Sequence, residues 1–200
     1  MNQTKIAVLV SGGGTNLQAL IDQWNQGNLP DGELALVVSS KPGVFALERA
    51  KKAGIPSAVV PKKGNAEFEQ QLLSLLKEHE IQLIVLAGFL CILSKEFVSQ
   101  YQNRIINVHP SLIPSFCGEG FYGLGVHQAA LDYGVKVTGA TVHFVNEIPD
   151  GGQIILQKAV EILPEDTAES LQQRVMKEAE WELLPRACQQ VAKQIREESK

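Results

Sequence analysis

Two hundred residues, 44% hydrophobic and 20% charged, suit one globular domain with a sizeable core, or one domain with a C-terminal extension. A formal net charge of −4 gives no electrostatic grip on a polyanion, which argues against DNA, tRNA or an anionic membrane as partner. The cysteines Cys91, Cys117 and Cys188 are odd in number, far apart and without a C-x-x-C pair, which argues against a disulfide scaffold and a zinc site.

The chain runs from Met1 almost directly into an apolar strand, without a charged leader, a long apolar span or a small-residue cleavage site, so a reducing cytoplasm is expected. Over the first 110 residues, short β-branched runs predict buried parallel strands over 5–10, 33–39, 57–60, 82–87 and 104–108. Helical spacing fills the intervals 16–25, 44–53, 66–79 and 94–101. In the third, Phe68, Leu72, Leu73, Leu75 and Leu76 form an apolar face, while Glu67, Glu69, Gln70, Lys77 and Glu78 can face water. Such alternation implies right-handed crossovers and a twisted, mostly parallel sheet covered on both faces. Further on, strand-like runs over 137–146 and 153–160 flank Ile148-Pro149-Asp150-Gly151-Gly152, predicting a reversal and an antiparallel addition. From 167 to about 196 the chain reads as helix, with Asp166 or Thr167 as cap and Pro185 dividing or kinking it. No linker or repeat interrupts 1–200, so the reading is a single α/β domain with a C-terminal helix.

Ser11-Gly12-Gly13-Gly14-Thr15-Asn16 joins the first strand to the first helix. Glycines let a backbone approach a bulky anion, and a helix N-terminus offers free N–H groups. A phosphate site and a plain tight turn both fit. A dinucleotide fingerprint would need glycine or alanine where Leu17 stands and an acid where Ser39-Ser40 stand; a P-loop would need Lys-Ser/Thr. A small phosphate monoester therefore fits better than a nicotinamide dinucleotide or a nucleoside triphosphate.

Asn107 and His109 are two residues apart, so on a strand both side chains leave the same face, and Pro110 holds His109 extended. Carboxyl ends of strands in an open α/β sheet are where ligands bind. Asp150-Gly151-Gly152 alone is ordinary turn chemistry. Together, however, an amide, an imidazole and an acid suit attack of an amine on a carbonyl. The carboxamide N–H and an imidazolium would hold the oxyanion, each such donor being worth about 3 kcal/mol, and a carboxylate would favour the charged imidazole. No metal ligand set and no nucleophile–base pair competes: Cys117 lacks a basic partner and His143 reads as a hydrogen-bonded strand residue.

Four stretches, SGGGTNLQAL, LAGFLCILS, INVHPSLIPSF and TGATVHFVNEIPDGGQIILQ, carry a resemblance that spans 5 to about 187. On them the chain resembles the phosphoribosylglycinamide formyltransferase family of purine synthesis. The resemblance implies transfer of formyl from 10-formyltetrahydrofolate, as co-substrate, to the amine of 5-phosphoribosylglycinamide, without metal or nicotinamide. It implies that Asn107 and His109 stabilise the oxyanion, with His109 as general acid, and that Asp150 keeps His109 charged and assists proton transfer. Gly12, Gly13, Gly14, Thr15 and Asn16 match the phosphate-end loop, and Glu180 matches an acid that contacts the glycinamide substrate. Leu90, Cys91, Ile92 and Leu93, with Asn146, Glu147, Ile148, Pro149 and Asp150, match the folate wall, to which Asn107 and Asn65 also belong. The domain would then divide into a phosphate-binding half, about 1–110, and a folate-binding catalytic half, about 111–200. Three departures stand out. Cys91 replaces a frequent Arg, no basic residue stands at Asn65 (Lys62 or Lys63 substituting), and 117–122 is about five residues longer and rich in glycine. His127 keeps its register after Gly123-Leu124 and reads as supporting structure. The rival readings are a hydrolase of formyl folate, which would carry an N-terminal regulatory domain that a first strand near residue 5 leaves no room for, and another formyltransferase of the superfamily. Small molecules are the expected partners, with monomer or homodimer left open.

Overall fold

The computed structural model describes residues 3–62 and 64–198. Lys63, offered above as a substitute for a basic residue near Asn65, lies outside them. The chain runs through β1 (Thr4–Val10), α1 (Thr15–Asn25), β2 (Gly32–Ser39), α2 (Phe45–Lys52), β3 (Ser57–Val59), α3 (Asn65–Glu78), β4 (Leu83–Leu86), α4 (Lys95–Gln100) and β5 (Ile105–His109). It continues through α5 (Leu124–Tyr133), β6 (Val137–Phe144), β7 (Ile154–Glu161), α6 (Ala168–Val175), a π-helical segment (Met176–Glu180) and α7 (Trp181–Glu198).

One seven-stranded sheet has the order β3-β2-β1-β4-β5-β6-β7. The first five strands pair in parallel, as the strand–helix alternation predicts, and β6 and β7 add antiparallel, as the reversal at 148–152 predicts. The β-branched central strands are buried on both faces: Ile6, Val8 and Val10 pack with α1 and the C-terminal helices, whereas Ala7 and Leu9 pack with α3 and α4. β3 departs from expectation, being a three-residue edge strand with Ser57 and Val59 exposed rather than a buried one. Glu69 also departs from its expected solvent face. It is buried in α3 and accepts from the Ser94 N–H and hydroxyl at 2.6 and 2.5 Å, fixing the start of α4.

The segment 167–196 is not one helix. Thr167 caps α6, accepting from Ser170 N at 3.2 Å, while Asp166 pairs with Arg174. The break falls at Met176–Glu180, ahead of Pro185, which is buried within α7. Pro185 has no N–H for the carbonyl four residues back, that of Trp181, which already lies beyond the widened turn, and α7 continues through it. Helix α5 has no counterpart in the sequence reading. Among the described residues no helix is long and apolar enough to cross a membrane.

Candidate active site

Neighbouring strands leave β1 in opposite directions along the sheet, β2 on one side and β4 on the other, so a crevice opens at its carboxyl end. The glycine turn fills it. Gly14 caps α1 at φ +72°, and a Cβ there would stand 2.7 Å from the Ala46 Cβ. Two loop carbonyls face α2, Gly12 accepting from Ala46 N at 3.3 Å and Gly13 from Arg49 Nε at 2.9 Å. The N–H groups of Gly12, Gly13 and Gly14 meet no acceptor among the described residues, the arrangement that suits an anion. Half-buried Thr15 opens α1. Beside it, Asn16 Nδ2 donates to Glu180 Oε2 at 2.6 Å, and its Oδ1 is buried without a partner. Burial pushes the Glu180 carboxyl above its ordinary value, against the pull of that bond. At the end of β2 the Ser39 hydroxyl donates to the Lys41 carbonyl, and Ser40 pairs with Ser11 at 2.7 Å, so no carboxylate stands where a ribose-binding acid would.

The second cluster grows from β5. Asn107 and His109 share its face with Ile105, and across the antiparallel pair Asn107 stands opposite His143. The connection from β6 to β7 leaves the sheet beside Ile105, whose carbonyl accepts from Val145 N, then folds back so that Asp150 reaches both imidazoles. Asp150 Oδ2 lies 3.4 Å from His109 Nδ1, and Oδ1 lies 3.5 Å from His143 Nε2. His143 Nε2 also lies 3.2 Å from Asn107 Nδ2. Burial works to raise the Asp150 carboxyl, but the Gly118 N–H at 2.9 Å and the charge of the His109 imidazole work against it, and it stands below the ordinary range. Asp150 adopts φ +55°, a left-handed turn conformation that Asp tolerates. The turn is packed too tightly for a side chain at Gly152, where a Cβ would stand 1.7 Å from the Phe144 carbonyl oxygen.

The stretch 116–122 lies against this cluster. His109 Nε2 lies 2.9 Å from the Phe116 carbonyl oxygen, and Gly118 is the donor to Asp150. Cys117 is half-buried, and burial with the Asp150 charge raises its thiol, which favours the unreactive form. Of the proposed folate wall, Leu90, Ile92 and Ile148 are 60%, 67% and 60% exposed, Cys91 is half-buried and Leu93 is buried. Leu90 N donates to Ser11 Oγ at 3.0 Å, tying this loop to the glycine turn. Asn146 is committed within its own turn, accepting from Ile148 N and donating to the Gly151 carbonyl, with Glu147 and Pro149 exposed beside it. Asn65 begins α3 and is exposed, with no hydrogen bond to either cluster among the described residues; Lys62 is exposed too.

Sequence reasoning missed His143 as a member of the cluster. Its only signal is the Asn107-to-His143 register, which needs the strand pairing. His127, on α5, is buried with both ring nitrogens unpartnered among the described residues; burial, then the His109 charge, pushes it down to about 4. No group of three or more His, Cys, Asp or Glu among the described residues is arranged to hold a metal.

A crevice lined by free N–H groups beside a cluster of carboxamide, imidazoles and carboxylate defines an α/β enzyme built for group transfer at a carbonyl. The chain belongs to the formyl transferase family, which matches it over residues 4–188. It is 42% identical to the phosphoribosylglycinamide formyltransferase of Haemophilus influenzae, over 90% of this chain and 84% of that protein. It is 46% identical to the trifunctional purine biosynthetic protein adenosine-3 of Gallus gallus over 96% of this chain, which spans 19% of that larger protein. The crystal structure of glycinamide ribonucleotide transformylase 1 from Symbiobacterium toebii superposes with a TM-score of 0.89 at 37% identity, covering 96% of this chain and 89% of that one.

Proposed function

We propose that the chain transfers the formyl group of 10-formyltetrahydrofolate to the amine of 5-phosphoribosylglycinamide, giving the N-formyl product on the route to purines in the cytoplasm. The observation that carries this reading is the Asp150 carboxylate 3.4 Å from the His109 imidazole on the strand that also presents Asn107. Family membership and the name of the Haemophilus influenzae relative supply the substrate pair.

The chain's groups divide the work. The N–H groups of Gly12, Gly13 and Gly14 and the α1 N-terminus take the phosphate, and Asn16 with Glu180 holds the glycinamide end. The apolar side chains of Leu90, Ile92 and Ile148, uncovered as they stand, flank the folate that supplies the formyl carbon. Asn107 N–H and protonated His109 hold the oxyanion formed when the amine attacks. His109 then gives its Nε2 proton to the folate nitrogen as the bond between that nitrogen and the formyl carbon breaks, its contact with the Phe116 carbonyl giving way, while Asp150 faces Nδ1 and takes part in removing the amine proton.

The test is direct: purified protein, synthetic phosphoribosylglycinamide and a 10-formyl folate are mixed and loss of the formyl folate is followed. Loss that depends on the amine is expected. Formate release without amine would favour the hydrolase reading, and no turnover above the amine-free control would overturn the assignment.

A further inference from the structure

His143 has no part in the reaction as derived so far. It is 2% exposed, and it sits where β6 slips register against β7, between Val142 and His143, an irregularity of the kind that re-aims a side chain. Its Nδ1 lies 2.8 Å from the Phe144 carbonyl oxygen. A carbonyl only accepts, so Nδ1 carries the hydrogen, and in the neutral ring Nε2 carries a lone pair. At 3.2 Å from that lone pair stands one end of the Asn107 carboxamide, which must then be the amino end. The rival arrangement has N–H at Nε2 as well, aimed at Asp150. Of the two groups facing Nε2, Asn107 Nδ2 is the nearer, at 3.2 Å against 3.5 Å for Asp150 Oδ1. Asp150 instead has the Gly118 N–H at 2.9 Å and His109 Nδ1 at 3.4 Å on its other oxygen.

We infer that His143 is a positioning residue: a neutral imidazole, protonated at Nδ1, whose Nε2 lone pair fixes the Asn107 carboxamide with its amino group toward the reacting centre. The inference rests on the formyl-transfer reading given above. A carboxamide can turn end for end with little steric penalty, and the reversed form would set a carbonyl oxygen against the developing oxyanion. His143 removes that choice. The division of labour in the cluster follows: His109 carries the mobile proton, and His143 stays neutral so that Asn107 remains a donor.

Two measurements test this. The first is nitrogen-15 NMR of the wild-type chain at neutral pH, correlating ring nitrogens with ring protons and assigned by loss of the signal in His143→Leu. A protonated Nδ1 and a bare Nε2 are expected; hydrogen at Nε2, alone or on both nitrogens, overturns the inference. This readout does not need turnover, so it decides the state of His143 even if formyl transfer itself fails. The second is a kinetic cycle. His143→Leu is expected to lower kcat by about 10- to 100-fold with both KM values little changed, since misaiming one oxyanion donor forfeits part of the about 100- to 1,000-fold that losing it costs. His143→Gln, whose side-chain oxygen can accept near the place of Nε2, is expected to recover most of the loss. In an Asn107→Ala background the His143→Leu effect is expected to vanish. An equal loss in both backgrounds would mean that His143 acts through the fold or through Asp150, and the inference would be wrong.

Discussion

His127 lends itself to a quantitative test of how this site handles charge. The perturbation is His127→Leu, which removes a buried imidazole with two unpartnered nitrogens and replaces it with an apolar side chain that does not titrate. In the folded chain the imidazole takes a proton only near pH 4, against 6.5 ordinarily. The unfolded chain takes that proton up below about 6.5, whereas the folded chain refuses it until about 4. Stability from this group is therefore fully present above pH 6.5 and drains away as pH falls toward 4. At 1.36 kcal/mol per pH unit the gap amounts to about 3 kcal/mol, most of it gone by about pH 4.5. That is a large share of the roughly 5–15 kcal/mol that holds a domain folded. Urea unfolding of wild type and variant at about pH 7, 5.5 and 4.5 reads the difference directly, because the other titrating groups are common to both. The wild type is expected to lose about 2 kcal/mol more than the variant between about pH 7 and about pH 4.5. Parallel stability curves would show that His127 is not held neutral by its surroundings.

Three further outcomes are expected. Asp150→Asn keeps the left-handed turn and an oxygen for the Gly118 N–H but removes the charge, so kcat should fall by about 100-fold or more with an unchanged melting temperature; near-normal turnover would take Asp150 out of the mechanism. Glu180→Gln leaves an oxygen to accept from Asn16 and should raise KM for phosphoribosylglycinamide selectively, read from steady-state kinetics with the folate saturating. Gly152→Ala drives a methyl group into the Phe144 carbonyl and should cost about 3 kcal/mol in urea unfolding, unless the turn carrying Asp150 moves, in which case activity falls instead.

The parallel half of the fold was legible because its signals are local. Strands buried on both faces must be apolar throughout, and α3 shows its face at helical spacing through Phe68, Leu72 and Leu76. Helix α5 was not, because it is bracketed by Gly123 and Gly134, carries Gly125 inside, and follows the glycine-rich stretch 117–123, so turn signals mask a short periodic run. Glu69 reads as a surface acid until Ser94 arrives from the next crossover to satisfy it. Asn107 and His109 could be paired from spacing alone, since a strand puts alternate residues on one face. The partners that complete the cluster depend on long-range geometry: His143 on the β5–β6 register, and Phe116 and Gly118 on a stretch with no periodicity. Asn146, placed in the folate wall by resemblance, has both ends of its side chain engaged in shaping the turn.

The π-helical segment sets the angular phase between two successive helices. Each residue of an α-helix advances about 100° around the axis, so one residue more or fewer within 176–180 would turn Glu180 away from Asn16 by that angle, or swing Leu183, Leu184 and Ala187 off the sheet. The widened turn lets an acid look into the crevice while the following helix keeps its apolar side inward, so the chain can satisfy two orientations that a uniform helix would force into conflict.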